Sequence, residues 1–406
     1  MNSLRLTAIV MLFAAAGANW PQFRGVDSAS IADGPAPPVD FDVETGQNIA
    51  WKADLPGRAA SGAIVVDGRV IVTASSGAMQ ERLHVMAFDG STGERLWQRD
   101  FWATGRTLCH PTSAIAAPTP ASDGTRIFAF FSSNDLVCLD LEGNLQWLRG
   151  LTYDFPTAAN DVGMASSPIV VGSLVIVQVE NLGTSFAAAL DTSTGLTKWR
   201  IERKKQMNWC SPTLVHTQNH REDLLLLQAP DGLAAFDAQT AKPLWRIDRP
   251  CEGIPSALGT GGLIFVASQG ITALRVPADG HEPEVVWSDN KLAVGNASPV
   301  VYDGRLYALN RAGAITCAET ATGKIAWRLR IKGTYWATPV VAGGTMFCAN
   351  YDGLVTAVKL DPEQGEIVGE SSLGEPVMGS PAIVDAAMYL RSDKHLWKIA
   401  SQEKAP

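Results

Sequence analysis

Eleven polar or aromatic side chains that could bind a small molecule are spread along the chain rather than gathered in one motif. They lie in or near the turn-rich stretches that precede short apolar segments. Together they offer two guanidinium groups, an imidazole, two carboxylates, three amides and three aromatic rings, a mixture typical of a site for a polar small molecule or an anion. The candidates are Arg58, Arg106, His110, Asn160, Asp161, Asn208, Trp209, Glu252, Asn296, Tyr335 and Trp336.

A purely structural explanation of these residues stays open, because loops are polar in most proteins. His110 precedes Pro111 and could be an ordinary surface residue, and Trp209 and Trp336 could be packing plugs. Other chemistry has less support, since the sequence has no Gly-x-Ser-x-Gly elbow, phosphate loop or Cys-x-x-Cys pair. His216 and His220 are four apart, but they flank a polar hairpin rather than a helix.

The elements that must position these side chains repeat along the chain. Seven tryptophans recur at intervals of 40 to 52 residues. These tryptophans end a recurrent sequence phrase of the form Asp-x-x-Thr-Gly-x-x-x-Trp, which is clearest at Asp89–Trp97 and Asp191–Trp199. The Asp and Thr side chains can bond nearby backbone N–H groups and Gly can adopt a positive φ, so the phrase predicts a tight turn followed by a packed indole. The tryptophans are Trp51, Trp97, Trp147, Trp199, Trp245, Trp287 and Trp327.

Each repeat contains short β-rich runs separated by Gly, Asn and Asp turns, which predicts an antiparallel meander of four strands. Sheets of this size at this spacing indicate an all-β, eight-bladed β-propeller. Phe41–Trp51 carries the same phrase with one extra residue, so we expect the N-terminal strand to complete the last blade. First strands are predicted to begin near Ser61-Gly62, Pro118, Pro168, Pro212, Pro255, Pro299, Pro339 and Pro381.

The first residues indicate export. A short basic start, an apolar run over 6–15 and the Ala16-Gly17-Ala18 cleavage site predict a signal peptide over 1–18, followed by one propeller domain over 19–406. The apolar run is too short for a membrane span, and no lipid-acceptor Cys follows it, so a periplasmic or secreted protein is expected. The less favoured alternative is an uncleaved anchor. We expect a monomer.

The charge of the chain indicates which partners it can bind, and its cysteines indicate which disulfides it could form. A net charge of −8, with Arg203–Lys205 as the one basic cluster, argues against nucleic acid. Among the six cysteines, Cys210 and Cys251 precede the first strands of adjacent blades and are the one pair that could form a disulfide. Reduced, buried thiols are the preferred interpretation.

The phrase resembles the pyrroloquinoline-quinone (PQQ) repeat superfamily of eight-bladed propellers, over nearly all of the mature chain. The opening Trp20-Pro-Gln-Phe-Arg-Gly25, with Asn48–Lys52 and Leu55–Arg58, is similar to a subgroup of exported PQQ-binding-like repeat proteins. The resemblance implies one of two functions. One branch comprises quinoprotein alcohol dehydrogenases with PQQ and calcium in the funnel, and the other is a cofactor-free outer-membrane assembly propeller.

This sequence lacks the adjacent cysteines of the dehydrogenase branch and the lipid-acceptor Cys of the assembly subunit. The favoured hypothesis is a binding or assembly scaffold whose partner is a protein or a small polar ligand at the funnel. The alternative is a PQQ-dependent oxidoreductase, in which Arg58 or Arg106 would pair with quinone carboxylates, Trp209 or Trp336 would stack on the ring, and Glu252 with Asn296 would hold Ca²⁺. A carbohydrate-acting protein using the same aromatics is a third possibility.

Overall fold

The computed structural model describes residues 19–159, 161–216, 223–277 and 282–401. Within these ranges the strands form eight separate sheets arranged as a β-propeller, which confirms the predicted fold. The sheet of the seventh blade has five strands, one of them added in parallel, and each of the other sheets has four. Helix is limited here to the single turn Leu151–Asp154 and the 3-10 turn Val26–Ser28.

The strands of the first four blades follow chain order from the axis outwards. Blade 1 has Ile64–Val66, Arg69–Ser76, Arg82–Asp89 and Arg95–Trp102. Blade 2 has Ala121–Ser122, Arg126–Phe130, Asp135–Asp140 and Leu145–Gly150. Blade 3 has Ile169–Val171, Leu174–Val179, Phe186–Asp191 and Thr197–Glu202. Blade 4 has Thr213–Val215, Leu224–Ala229, Gly232–Asp237 and Pro243–Ile247.

The remaining blades repeat this order. Blade 5 has Leu258–Thr260, Leu263–Ala267, Ile271–Arg275 and Glu284–Asp289. Blade 6 has Val300–Tyr302, Arg305–Leu309, Ala314–Glu319 and Ile325–Arg330. Blade 7 has Val340–Ala342, Thr345–Ala349, Leu354–Leu360 and Gly365–Ser372. Blade 8 has Ala382–Val384, Ala387–Arg391 and His395–Ile399, and its outer strand is Ile49–Asp54.

The N-terminal strand closes the ring as expected. Ile49–Asp54 pairs antiparallel with His395–Ile399, placing Lys52 opposite Trp397. This pairing joins the two ends of the propeller, so blade 8 has the same four strands as its neighbours although the chain supplies only three of them in sequence.

Side chains of the middle strands point alternately to the two faces of each sheet, so the apolar core continues from one blade to the next. In blade 1, Val72 faces the eighth blade and packs in a cluster with Met388, whereas its neighbour Ile71 faces the second blade and packs in a cluster with Ile127. Successive side chains of a strand point to opposite faces, so one apolar strand serves two interfaces.

The recurrent phrase has the structural role that its residues predict. Asp89 Oδ1 accepts backbone N–H groups from Ser91 and Thr92 at 2.9 and 2.8 Å. Gly93 has φ 76°, and a Cβ there would lie 2.6 Å from the indole of Trp51 in the preceding blade. Six of the seven indoles donate Nε1–H to a backbone carbonyl of the next blade at 2.8–3.2 Å.

Candidate functional site

A ring of hydroxyl groups surrounds the axis where the first strands begin. Each hydroxyl oxygen accepts the backbone N–H of the equivalent residue in the preceding blade at 2.9–3.0 Å. None of these hydroxyls donates to another protein atom within the described ranges, so their protons are available to a ligand. The hydroxyl ring consists of Thr119, Ser167, Ser211, Ser256, Ser298, Thr338 and Ser380.

The eighth position of the hydroxyl ring is Gly62, which donates its N–H to Thr119 but has no hydroxyl of its own. A Cβ on Gly62 would lie 2.6 Å from the carbonyl oxygen of Ser380. The close approach of blades 8 and 1, which the chain joins only through its closing strand, therefore excludes a side chain at this place.

The N-terminal segment 20–32 crosses the channel on the far side of the hydroxyl ring. Its backbone bonds blade 1 through Trp20, blade 2 through Pro21 and blade 7 through Ser30. Ile31–Ala32 then adds a parallel strand to Val340–Ala342. These contacts turn an open channel into a cavity with a floor.

Arg24 anchors the floor to the opposite side of the propeller. Its Nη2 donates to Ala257 O at 2.8 Å and to Thr213 Oγ1 at 3.3 Å, and Nη1 donates to Ser256 O at 3.5 Å. The side chain is buried and forms no ion pair with any described carboxylate, and its Nε has no partner among the described residues. Burial lowers the pKa of Arg24 to about 10, so the guanidinium stays charged at neutral pH.

The motif Trp20-Pro-Gln-Phe-Arg-Gly25 builds this floor. A Cβ on Gly25 would lie only 2.8 Å from the indole of Trp20, and Gly25 has φ 71°. The compact turn directs Phe23 to the cavity, and the guanidinium of Arg24 lies 5.7 Å from the centre of the Phe23 ring.

The resulting cavity has a volume of about 400 Å³. All seven members of the hydroxyl ring line it, and Phe23 reaches it from the floor. Its wall is largely apolar and includes Ile254 and Met378. The mouth opens towards the end of the propeller where fourth strands connect to first strands, which we call the loop face.

Four of the sequence-predicted candidates line this cavity: His110, Trp209, Asn296 and Trp336. Trp209 donates Nε1–H to Gly163 O at 2.9 Å, which fixes the ring. The Nδ2 of Asn296 is buried and has no hydrogen-bond partner within the described ranges. An unpaired buried amide is costly unless a water or ligand completes it.

The other candidates do not line the central cavity. Arg58 faces Asp393 at 3.5 Å. Arg106 pairs with Asp161 at 2.9 Å. Arg106 also lines a separate depression of about 490 Å³ on the loop face.

Three more candidates do not line the cavity, because two are buried elsewhere and one is exposed outside it. Asn208 is buried and donates to Gln228 O at 2.8 Å. Tyr335 is buried, with its hydroxyl donating to Lys332 O at 2.7 Å. Glu252 is exposed outside the lining, and Asn160 lies outside the described residues. Of the ten candidates that the structure describes, four therefore line the axial cavity.

Sequence reasoning missed the hydroxyl ring and the floor. The ring has a signal, because a Ser or Thr precedes Pro at most of the first strands, as in Ser167-Pro168 and Thr338-Pro339. Nothing local marks Arg24 as a floor residue, since its partners lie more than 180 positions later in the chain.

The six cysteines are free thiols in the structure. Cys210 Sγ contacts the carbonyl oxygens of Glu252 and Pro255 at 3.4 Å, and Cys251 Sγ contacts Arg249 O at 3.2 Å. Burial raises the pKa of the Cys210 thiol, which keeps it protonated.

Among the described residues, no helix is long and apolar enough to cross a membrane.

Fold and cavity define the class: an eight-bladed propeller with a floored axial cavity. The profile of the family described as outer membrane protein assembly factor BamB matches residues 29–233 and 278–359, so the chain belongs to that family. BamB of Yersinia pestis is 24% identical over 204 residues, which cover 40% of this chain and 51% of the relative. The chain thus spans about half the length of this curated relative.

Solved structures show the same fold at low identity. BamB from Moraxella catarrhalis superposes with a TM-score of 0.63 at 16% identity, covering 88% of this chain and 98% of that one. Quinohemoprotein alcohol dehydrogenase from Comamonas testosteroni gives a TM-score of 0.68 at 14% identity, with coverages of 97% and 82%.

The cavity does not fit PQQ with calcium. The quinone carries three carboxylates and Ca²⁺ takes six to eight oxygen ligands, so such a site needs several fixed cations and a carboxylate-rich cage. The described lining contains no Arg, Lys, Asp or Glu. Across the described ranges no group of three or more His, Cys, Asp and Glu could hold a metal ion.

Proposed function

We propose that this chain is an exported scaffold that docks a protein of an outer-membrane assembly machinery on its loop face. Membership of the BamB family supports this proposal, because the family is described as an assembly factor. The observation that carries it is a set of large apolar side chains exposed on the loop face of blades 1 to 3. This apolar sector consists of Met79, Trp102, Leu108, Tyr153 and Leu182.

Strand order places the sector on one face. In an antiparallel meander, the turn between the second and third strands lies at the same end as the exit from the fourth. Met79 and Leu182 lie in second-to-third turns, and Trp102 ends a fourth strand. Leu108 and Tyr153 lie in connections from fourth to first strands.

Neighbouring loops of the sector contact one another. Arg106 and Tyr153 line the same depression, and Thr157 Oγ1 lies 2.5 Å from Thr184 Oγ1, close to Leu182. Tyr153 is 79% exposed and Leu182 69%. Large apolar side chains held together at a polar rim are typical of a protein-binding surface, and aromatic residues dominate binding at such surfaces.

Site-specific photocrosslinking in the cells that make the protein tests this proposal. A crosslinking side chain at Tyr153 should give one discrete adduct whose partner, by mass spectrometry, belongs to the outer-membrane assembly machinery. The same side chain at Leu196, 64% exposed at the opposite end of blade 3, is the matched control and should give none. Equal adducts at both positions, or an adduct at Tyr153 with an unrelated protein, would contradict it.

A further inference from the structure

The polar side chains around the base of the axial cavity, seven hydroxyls and Asn296, each have a hydrogen-bond donor to offer a ligand. Each of the seven ring hydroxyls already accepts a backbone N–H, and its own O–H group remains free to donate a hydrogen bond to a ligand. Asn296 adds a buried, unpartnered Nδ2. No carboxylate belongs to the described lining.

Arg24 does not line the cavity but lies beneath its base, where its buried charge contributes a positive potential. Its guanidinium bonds the backbone of Ser256, a member of the hydroxyl ring, from below. No described carboxylate lies within ion-pair distance of it, and the side chain is 2% exposed. A buried charge without a counter-ion is unfavourable, and a bound anion would relieve it. A cation on the hydroxyl oxygens would face the same charge and be repelled.

The upper part of the cavity favours a flat apolar body. Trp209 and Trp336 line its wall together with Ile254 and Met378, and Phe23 lines the base. Trp209 is fixed by its bond to Gly163, and Arg311 lies 5.1 Å from the Trp336 ring centre. Rigid aromatic walls select planar ligands by stacking. The volume of about 400 Å³ accommodates a one- or two-ring molecule.

We propose that the axial cavity binds a small aromatic anion, with its charged group at the hydroxyl ring above Arg24 and its ring system against Trp209 and Trp336. The site is separate from the apolar sector, so this inference goes beyond the docking function and does not depend on it. Carboxylates and sulfonates share the chemistry that the donors recognise, and one anionic group suffices.

Calorimetry with the full mature protein tests the site. The probes are 2-naphthoate and the neutral 2-naphthamide, which has the same ring system. We expect naphthoate to bind at least tenfold more tightly. Arg24→Met should bring the two affinities to within about twofold, whereas Arg24→Lys should keep part of the preference. Arg391→Met is the matched control: Arg391 is equally buried and bonds the carbonyls of Gly57 and Ala59, so the preference should survive its loss.

A second variant keeps the test decisive if Arg24→Met does not fold. Ser298→Ala combined with Thr338→Val removes two ring hydroxyls and should weaken naphthoate several-fold while leaving naphthamide unchanged. Equal binding of the two probes to the wild type would overturn the proposal. So would no binding of either at about 1 mM, or a preference that survives both sets of variants.

Discussion

Arg24 Nη2 donates a 2.8 Å hydrogen bond to the carbonyl oxygen of Ala257, which lies 233 residues later in the chain. This bond ties the N-terminal segment to the fifth blade, across the axis from the first blade, to which Trp20 is bonded. The same segment therefore both bridges the ring and seals one end of its channel. Arg24 is therefore the side chain that anchors the floor of the cavity to the far side of the propeller.

Two truncations should separate ring closure from the floor. Removing residues 19–54 takes away the strand that pairs with His395–Ile399, so blade 8 keeps only three strands and cooperative unfolding should be lost. Removing residues 19–32 leaves that strand in place, and unfolding should stay cooperative at a lower Tm. Denaturant unfolding followed by tryptophan fluorescence would show both effects. A 19–54 deletion that unfolds as sharply as the full chain would refute the closing role.

Gly93 and Ala241 occupy equivalent turn positions and should respond in opposite directions. Gly93 has φ 76° beneath Trp51, so Gly93→Ala combines backbone strain with a clash and should cost about 2 kcal/mol or more. Ala241 already has φ 60°, so Ala241→Gly should stabilise by about 0.5–1 kcal/mol. Free energies of unfolding in urea provide the measurement. Destabilisation by Ala241→Gly would contradict this account of the turn.

Acid should weaken the turns through their aspartates. Hydrogen bonds from Ser193 and Lys198 hold the pKa of Asp191 well below its usual range. The folded pKa lies below the unfolded one, so the stabilisation is present above about pH 4 and is lost as the pH falls further. Asp191→Asn should therefore show a smaller loss of stability between about pH 5 and pH 2 than the wild type. Parallel slopes for the two proteins would show that Asp191 does not contribute.

The fold could be predicted from sequence because its determinants are local and repeated. Asp89, Thr92 and Gly93 form their turn among themselves, and Trp97 follows at a fixed distance. Repetition gave the blade count and indicated a closing strand at the phrase Phe41–Trp51, and the structure has that strand at Ile49–Asp54.

The site could be predicted only in part, because it depends on loop conformation and distant contacts. Sequence placed His110 and Arg106 in the same connection, yet one lines the axial cavity and the other pairs with Asp161 outside it. In the sequence, Arg24 is one residue of the motif Trp20-Pro-Gln-Phe-Arg-Gly25 and nothing more. Its role depends on where blade 5 stands relative to the N-terminus, which no local pattern encodes.

Calorimetric titration of the purified protein with PQQ, with and without Ca²⁺, tests most directly whether the propeller is a scaffold rather than a quinone enzyme. The described lining offers no carboxylate cage for calcium, so Ca²⁺ should leave any PQQ binding unchanged. Saturable binding that requires Ca²⁺ and is tighter than about 1 μM would contradict the account, since an affinity of that order is about 8 kcal/mol of binding free energy and needs dedicated ligands.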